Sequence, residues 1–351
     1  EGNLPIGYRM ARGADRFARQ ASGLAHTFLA DLCQLGVHGI DWEWALVHMH
    51  GDLRRSYGEE FLERGITHPI SQTLDVAFAY QCTAVVAREL GDEALACQFE
   101  ALACGWERAI DPATGLLVDS SFYEGGKWNY SFRIVHDMAR RIEIAGGDDA
   151  FVELLDRFFG FGADPVKQPG LHPAAEEMAA GYALDRFEGL NNEPDMEAPW
   201  AYHYVGRPDR TAEIVHAAVQ HQFGTGRGGL PGNDDSGGLS SWYVWASLGL
   251  FPVAGQNVVL VNAPSFERAE IDLADTTLTI ETAGFVEPTP ASPPQFVQSL
   301  SVDGVAVDQS WLTGNELRDS SCLQVALGPN PTSWATTTRP PSVRPSDWSN
   351  T

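Results

Sequence analysis

The sequence predicts a mainly α protein with a C-terminal β region: a helical toroid or bundle, then a small antiparallel β-sheet or part of a β-sandwich. Three observations carry this expectation. Apolar residues recur at helical spacing through most of the first 250 residues. From about Val258 the pattern changes to short β-branched, alternating runs. Strands and helices do not alternate along the chain, which argues against an α/β sheet.

Taken in order, Ala14–Leu35 places Phe17, Ala21, Leu24, Ala25, Phe28, Leu29 and Leu32 on one helical stripe. Ile70–Leu90 follows, with Ser71 as a start and Gly91 as a stop. Glu93–Ile110 ends at Asp111-Pro112. Further helices are expected near Ser131–Ala145, Ala150–Phe158, Pro199–Val205 and Asp209–His221. A last one begins near Leu239 and ends at Gly249–Pro252. Five strands are expected beyond it: Val258–Val261, Ala269–Leu273, Thr277–Thr282, Gln298–Val302 and Leu323–Leu327. The domains expected are 1–254 for the helical part and 255–335 for the β region, with 336–351 as a poorly packed tail.

Composition narrows the function classes. At 351 residues and 44% hydrophobic, the chain can bury a substantial core. It contains no apolar run of about 18 residues, so no membrane span and no membrane partner are expected. Acidic residues outnumber basic ones 47 to 23, giving −24, and nucleic acid would be repelled. The charge suits a neutral or cationic ligand or a bound metal, and equally a solubilising acidic surface. Cys33, Cys82, Cys97, Cys104 and Cys322 form neither a zinc-like pair nor a disulfide framework, and read as buried thiols. Glu1-Gly2-Asn3-Leu4-Pro5 reads like the middle of a protein, so an N-terminal part is expected elsewhere.

Four clusters carry candidate chemistry. In Gly232-Asn233-Asp234-Asp235-Ser236-Gly237, two carboxylates and an amide crowd a glycine-flanked loop ahead of Ser240-Ser241-Trp242-Tyr243. A plain turn needs one Asp and one Gly, so the crowding points to a site that handles a proton, a metal or a sugar. Phe122-Tyr123-Glu124-Gly125-Gly126-Lys127-Trp128-Asn129-Tyr130 sets Glu124 among aromatic rings and is followed by His136-Asp137. A carboxyl against an aromatic wall tends to a raised pKa, which suits a general acid. By itself Glu124 reads as a loop or capping residue, and His136 by itself as a structural histidine.

Gly189-Leu190-Asn191-Asn192-Glu193-Pro194-Asp195 offers hard oxygen donors of the kind calcium prefers, without EF-hand spacing; a plain turn is the other reading. Gly39-Ile40-Asp41-Trp42-Glu43-Trp44 is an acidic, aromatic face that is either sugar-contacting or merely amphipathic. Serine-hydrolase, phosphate-loop and His-Glu-x-x-His patterns are absent. Carboxylates with aromatic platforms are what glycoside hydrolysis needs.

In order, these clusters resemble glycoside hydrolase family 92, the calcium-dependent exo-acting α-mannosidases. Glu124-Gly125 through Trp128, Tyr130 and His136-Asp137 is similar to the family's Glu-Gly-Asn-Ala-Trp-Gln-Tyr stretch and its Pro-His-Asp. Asn192-Glu193-Pro194, with Pro199, Tyr202–Tyr204, Gly206 and Pro208, is similar to its Gly-Asn-Glu-Pro segment. Gly232 through Pro252 resembles its Gly-(Asp/Asn)-(Glu/Asp)-Asp loop, the Ser-(Ala/Ser)-Trp-Tyr-Val stretch and the Leu-Gly-(Leu/Phe)-(Tyr/Phe)-Pro that follows.

The resemblance implies an (α/α)6 toroid, incomplete in this chain, that removes terminal α-linked mannose from glycans with inversion and calcium (Ca2+). It implies Glu124 as general acid, Asp235 as general base, and Asn192 and Glu193 at the metal. Trp128, His136, Asp137, Asn233 and Asp234 would line the sugar site. A mannose-containing oligosaccharide is the implied partner, with an N-terminal β-sandwich or second polypeptide completing the pocket. A secreted, periplasmic or cell-surface location is implied. The chain departs from the family at Asn233 (often Asp), Asn129 (usually Gln), Met196-Glu197, Ala79-Tyr80 and a short loop between Gly115 and Glu124. Two other readings stay open: a sugar-binding or structural fragment without catalysis of its own, and a related α-glycosidase for another sugar or linkage.

Overall fold

The computed structural model describes residues 23–56, 58–119, 126–161, 190–273 and 276–343. Eleven α-helices among them fall mostly before residue 250. The first three are α1 (Leu24–Gln34), α2 (Trp42–Ser56) and α3 (Gly58–Arg64). The next two, α4 (Gln72–Glu89) and α5 (Glu93–Ala103), form a tight hairpin. Most of α4 is buried, with alanines on several faces, so α1, α2 and α5 all pack against it. Such all-round burial is why α4 has little amphipathic character. Its end follows from the sequence: Gly91 takes φ +81°, and the Asp92 carboxylate accepts the Leu95 N–H (3.0 Å) to start α5.

α5 passes into a 3₁₀ turn, Cys104–Ala109, and then a two-stranded ribbon, β1 (Ile110–Asp111) with β2 (Leu116–Leu117). Next come α6 (Lys127–Tyr130), α7 (Met138–Ile144) and α8 (Asp148–Phe159). The helix expected over Ser131–Ala145 is present only as α7. Phe132, Ile134 and Val135 are buried in an irregular stretch whose backbone finds tertiary partners. Glu197 accepts the Ile134 N–H (2.7 Å), and the Arg141 guanidinium donates to the Ser131 carbonyl (3.0 Å). Helical bonds are thereby replaced rather than lost. Pro199–Val205 is likewise a 3₁₀ helix, Ala198–Val205, leading into α9 (Pro208–Gln222).

α10 (Gly238–Ser247) stops earlier than expected. Gly249, at φ +73°, turns the chain into strand β3 (Leu250–Val253). A Cβ there would lie 2.6 Å from the Asn262 carbonyl oxygen, so glycine is required by space as well as by φ.

The remaining strands are β4 (Val258–Val261), β5 (Arg268–Leu273), β6 (Thr276–Ala283), β7 (Phe296–Val302), β8 (Val305–Val307), β9 (Trp311–Leu312) and β10 (Cys322–Gly328); α11 (Gly314–Asp319) lies before β10. One sheet runs β3-β4-β9, the other β5-β6-β10-β7-β8. All pairings are antiparallel except β6 with β10, where Cys322 faces Thr279. β4 joins the two halves. Its Val258 and Leu260 belong to the helical core, while Val259 and Val261 belong to the β core. Period-two alternation lets one short strand serve both cores.

The stretch expected as a poorly packed tail returns across the helices as far as Val343. Val343 donates to the His136 carbonyl (2.8 Å), Ala139 donates to the Ser342 hydroxyl (3.0 Å), and Arg339 pairs with Asp148 (3.1 Å). The five cysteines are free thiols, but only Cys82 is buried as expected; Cys33, Cys104 and Cys322 are partly exposed and Cys97 is exposed, because each lies toward the open side of its helix or strand. Among the described residues no helix is long and apolar enough to cross a membrane.

Candidate active site

Three of the four clusters meet at one turn. Asn192 precedes a 3₁₀ turn, Glu193–Asp195, and the backbone around it is held from four directions. From α6, the Asn129 amide donates to both carboxylate oxygens of Asp195 (3.1 and 3.4 Å). From α9, the Gln222 side chain accepts the Leu190 N–H (2.6 Å). From α10, the Trp242 indole donates to the Met196 carbonyl (3.0 Å). The Gly232 loop presses on the turn directly: a Cβ at Gly232 would sit 2.1 Å from the Asn191 carbonyl oxygen.

The loop carrying Asp234 and Asp235 treats its two carboxylates differently. Asp234 accepts the Ser240 backbone N–H and hydroxyl, both at 2.8 Å, and its own carbonyl accepts the N–H groups of Gly237 and Gly238. It organises the first turn of α10, and these donors hold its carboxyl below the usual range. Asp235 is exposed, takes φ 39°, and makes no hydrogen bond among the described residues. A non-glycine residue in that region is uncommon, so the loop spends conformational energy to present this carboxylate to solvent. Asn233 is exposed beside it. Behind the loop, Trp242 stacks on Phe223 (5.8 Å, 11°), and Tyr243 tilts over the same ring while staying partly exposed.

The expected acid, Glu124, lies outside the described residues. Trp128 is half-buried, with the Arg157 guanidinium over its ring (5.4 Å) and Phe132 beside it. His136 is 2% exposed, stacked near Phe78 and edge-on to Trp106. Burial pushes its pKa down to about 3, so the ring is neutral. Asp137 is buried as the N-cap of α7, accepting the Arg140 N–H (2.9 Å). His136 and Asp137 are therefore both buried, one as a packed ring and the other as a helix cap. The fourth cluster starts α2: Asp41 accepts the Trp44 N–H (2.9 Å) and the Trp44 ring lies 3.9 Å from His48. No hydrogen bond among the described residues ties it to the other three.

Sequence reading missed an ionic triad next to this turn. Arg133 bonds Asp75 (2.8 Å) and Glu197 (3.2 Å), linking α4, the stretch before α7 and the 3₁₀ helix that follows the turn. Burial raises the Asp75 pKa and Arg133 opposes it, while the two carboxylates raise that of the guanidinium. Three charged residues at positions 75, 133 and 197 leave no local pattern to read. The Asn129–Asp195 bond was also missed, although both residues sit inside quoted clusters, because nothing local pairs residues 66 positions apart.

A hard cation suits the oxygen donors of Asn192 and Glu193. Among the described residues no three His, Cys, Asp or Glu side chains converge on one point, so a cation there would also draw on amide or backbone oxygens and water.

Comparison with known proteins shows the family and the fold. Residues 19–329 match the glycosyl hydrolase family 92 catalytic domain. A family GH92 α-mannosidase from Bacteroides thetaiotaomicron, solved with mannoimidazole, superposes with a TM-score of 0.76 at 24% identity, covering 91% of this chain and 45% of that one. An inverting GH92 mannosidase from the same organism gives a TM-score of 0.75 at 21% identity, covering 90% and 48%. An uncharacterised secreted glycosidase of Arthroderma benhamiae is 30% identical over 216 residues, 61% of this chain. The chain spans 24% of that relative's length. With the family match covering most of its length, and the fold shared, this chain belongs to glycosyl hydrolase family 92.

Proposed function

We propose that the chain carries the catalytic centre of an exo-acting, inverting α-mannosidase that requires calcium and acts on mannose-terminated glycans. The observation that carries this reading is the meeting of the acid-side helix α6, the Asn192–Glu193 turn and the Asp235 loop at one place. Family membership and the α-mannosidase neighbours support it. Asp235 takes a proton from a water as that oxygen bonds to the anomeric carbon. The glycosidic bond breaks on the opposite face, and Glu124 gives its proton to the departing oxygen. Inversion needs the two carboxyls about 6.5–9.5 Å apart, so that water fits between base and sugar.

Asn192 and Glu193 are the residues to hold calcium, which when bound supplies a fixed positive anchor for vicinal sugar oxygens. In this reading Trp128 and Asn233, neither of them fully buried, are the side chains that touch sugar. Asp234 acts by holding the loop that presents Asp235, Asp137 caps α7, and His136 packs as a buried neutral ring beside it. A location outside the cytoplasm fits the secreted fungal relative.

The test is hydrolysis of α-linked mannobiose followed by NMR, which reads both rate and anomer. Glu124→Gln and Asp235→Asn should each lower kcat by at least about 100-fold. Chelation should abolish turnover and added calcium restore it, and the first-formed sugar should be the β-anomer. Full activity of either variant, or an α-product, rejects the assignment. Mannobiose binding without turnover would assign the chain instead to sugar recognition.

A further inference from the structure

We propose that Asn129 and Asp195 form a positioning pair that sets the acid side of the site in register with the metal turn; the proposal rests on the mannosidase reading above. Asn129 is 5% exposed and Asp195 2%. The Asn129 amide nitrogen donates to the Asp195 carboxylate at 3.1 and 3.4 Å, and the amide oxygen of Asn129 accepts the Gly126 N–H at 3.0 Å. One side chain thus bonds a backbone two residues from Glu124 to a side chain two residues from Glu193.

The geometry suits positioning better than general adhesion. Helix α6 is only four residues long, too short to hold its own place by internal bonds. The Asp195 side of the bond is already fixed, since Gln222, Gly232 and Trp242 hold the same turn. A bond from a four-residue helix to a turn held on three other sides sets the helix relative to that turn. It is buried and charge-assisted, so solvent does not compete for it. General acid catalysis depends on the acid standing within hydrogen-bond reach of the leaving oxygen, and about 1 Å of misplacement can cost about 100-fold in rate.

The same argument predicts which substrates suffer. A leaving group that departs as a stable anion needs little help from the acid, whereas a sugar leaving group needs a full proton. Disturbing the pair should therefore slow mannobiose but spare an activated aryl mannoside. Damage to the fold, the base or the metal turn would slow both alike.

The experiment compares the unaltered full chain with Asn129→Leu, Asn129→Asp and the exchanged pair Asn129→Asp/Asp195→Asn. Each is assayed on α-mannobiose and on 2,4-dinitrophenyl α-mannoside. Asn129→Leu should lose about 100-fold in kcat on mannobiose, with KM little changed, and less than about fivefold on the aryl glycoside. Asn129→Asp sets two carboxylates together and should behave alike or worse. The exchanged pair can still accept from Gly126 and bond across, and should recover at least tenfold of the loss on mannobiose. Equal losses on both substrates, no loss, or no recovery overturns the proposal. Amide hydrogen exchange at Gly126 is read in parallel: protection should fall in Asn129→Leu and return in the exchanged pair. If the unaltered chain hydrolyses neither substrate, the mannosidase reading fails on its own, and unchanged Gly126 protection in Asn129→Leu then overturns the pair as a positioning device.

Discussion

Replacing Gly232 with alanine drives a methyl group into the backbone that leads to Asn192 and Glu193. The new carbon would lie 2.1 Å from the Asn191 carbonyl oxygen, 2.9 Å from its carbon and 3.2 Å from its Cα. Ordinary contact begins near 3.4 Å, so the two backbones must part by about 1.3 Å. Neither side yields easily, because Gln222 and Trp242 hold the turn while Asp234 locks the loop onto α10. Overpacking of this kind costs about 1–3 kcal/mol, and a shift of about 1 Å between base and metal turn can cost about 100-fold in rate. Gly232→Ala should therefore lower kcat/KM on mannobiose about 100-fold and Tm by about 3–10 °C. Gly228→Ala is the control: no atom lies within 4 Å of its added carbon, and its φ is not in the left-handed region. It should leave both readings near the parent. The reasoning is refuted if Gly232→Ala matches Gly228→Ala in rate and melting temperature.

Two further outcomes follow from buried charge. His136 and His203 are both neutral in the fold, with pKa values pushed down by burial to about 3. A depressed folded pKa means stability that is whole above the unfolded value and lost as pH falls toward 3. Between pH 7 and 4.5 each should remove about 2–3 kcal/mol, read as a falling urea midpoint, and His136→Phe should flatten that fall. Arg133→Leu strands Asp75 and Glu197 without their shared cation. Each side chain keeps about a quarter of its surface exposed, so the loss at pH 7 should be nearer about 2 than 5 kcal/mol. A raised carboxyl pKa is destabilising above the unfolded value, so the gap in stability between this variant and the parent should narrow toward pH 5; a gap independent of pH would rule out the charge argument.

Much of the helical half was legible from local signals. The Gly91-Asp92 stop and restart, the apolar face of α8 and the length of α9 all depend on neighbours within a turn or two. The five expected strands were legible for the same reason, by period-two alternation. Ser131–Val135 was misread because its backbone is bonded by side chains, Arg141 at the Ser131 carbonyl and Glu197 at the Ile134 N–H, which no local pattern announces. The parallel pairing of β6 with β10 was equally invisible, since strand order depends on which neighbour covers which edge.

At the site, residue types alone identified the loops. Two carboxylates in a glycine turn, and amide with carboxylate before a proline, announce chemistry from composition. Which Asp is free to act was decided by tertiary contacts: Ser240 claims Asp234, and a left-handed φ turns Asp235 outward. His136 and Asp137, adjacent in a quoted motif, became a buried ring and a helix cap because the core and α7 closed over them. The sequence by itself therefore determined the kinds of groups available and the helices and strands that carry them, because those depend on local chemistry. Only the tertiary structure decided which groups meet solvent and which hold one another. Burial and long-range hydrogen bonds are set by residues tens of positions away, as Asn129 and Asp195 are.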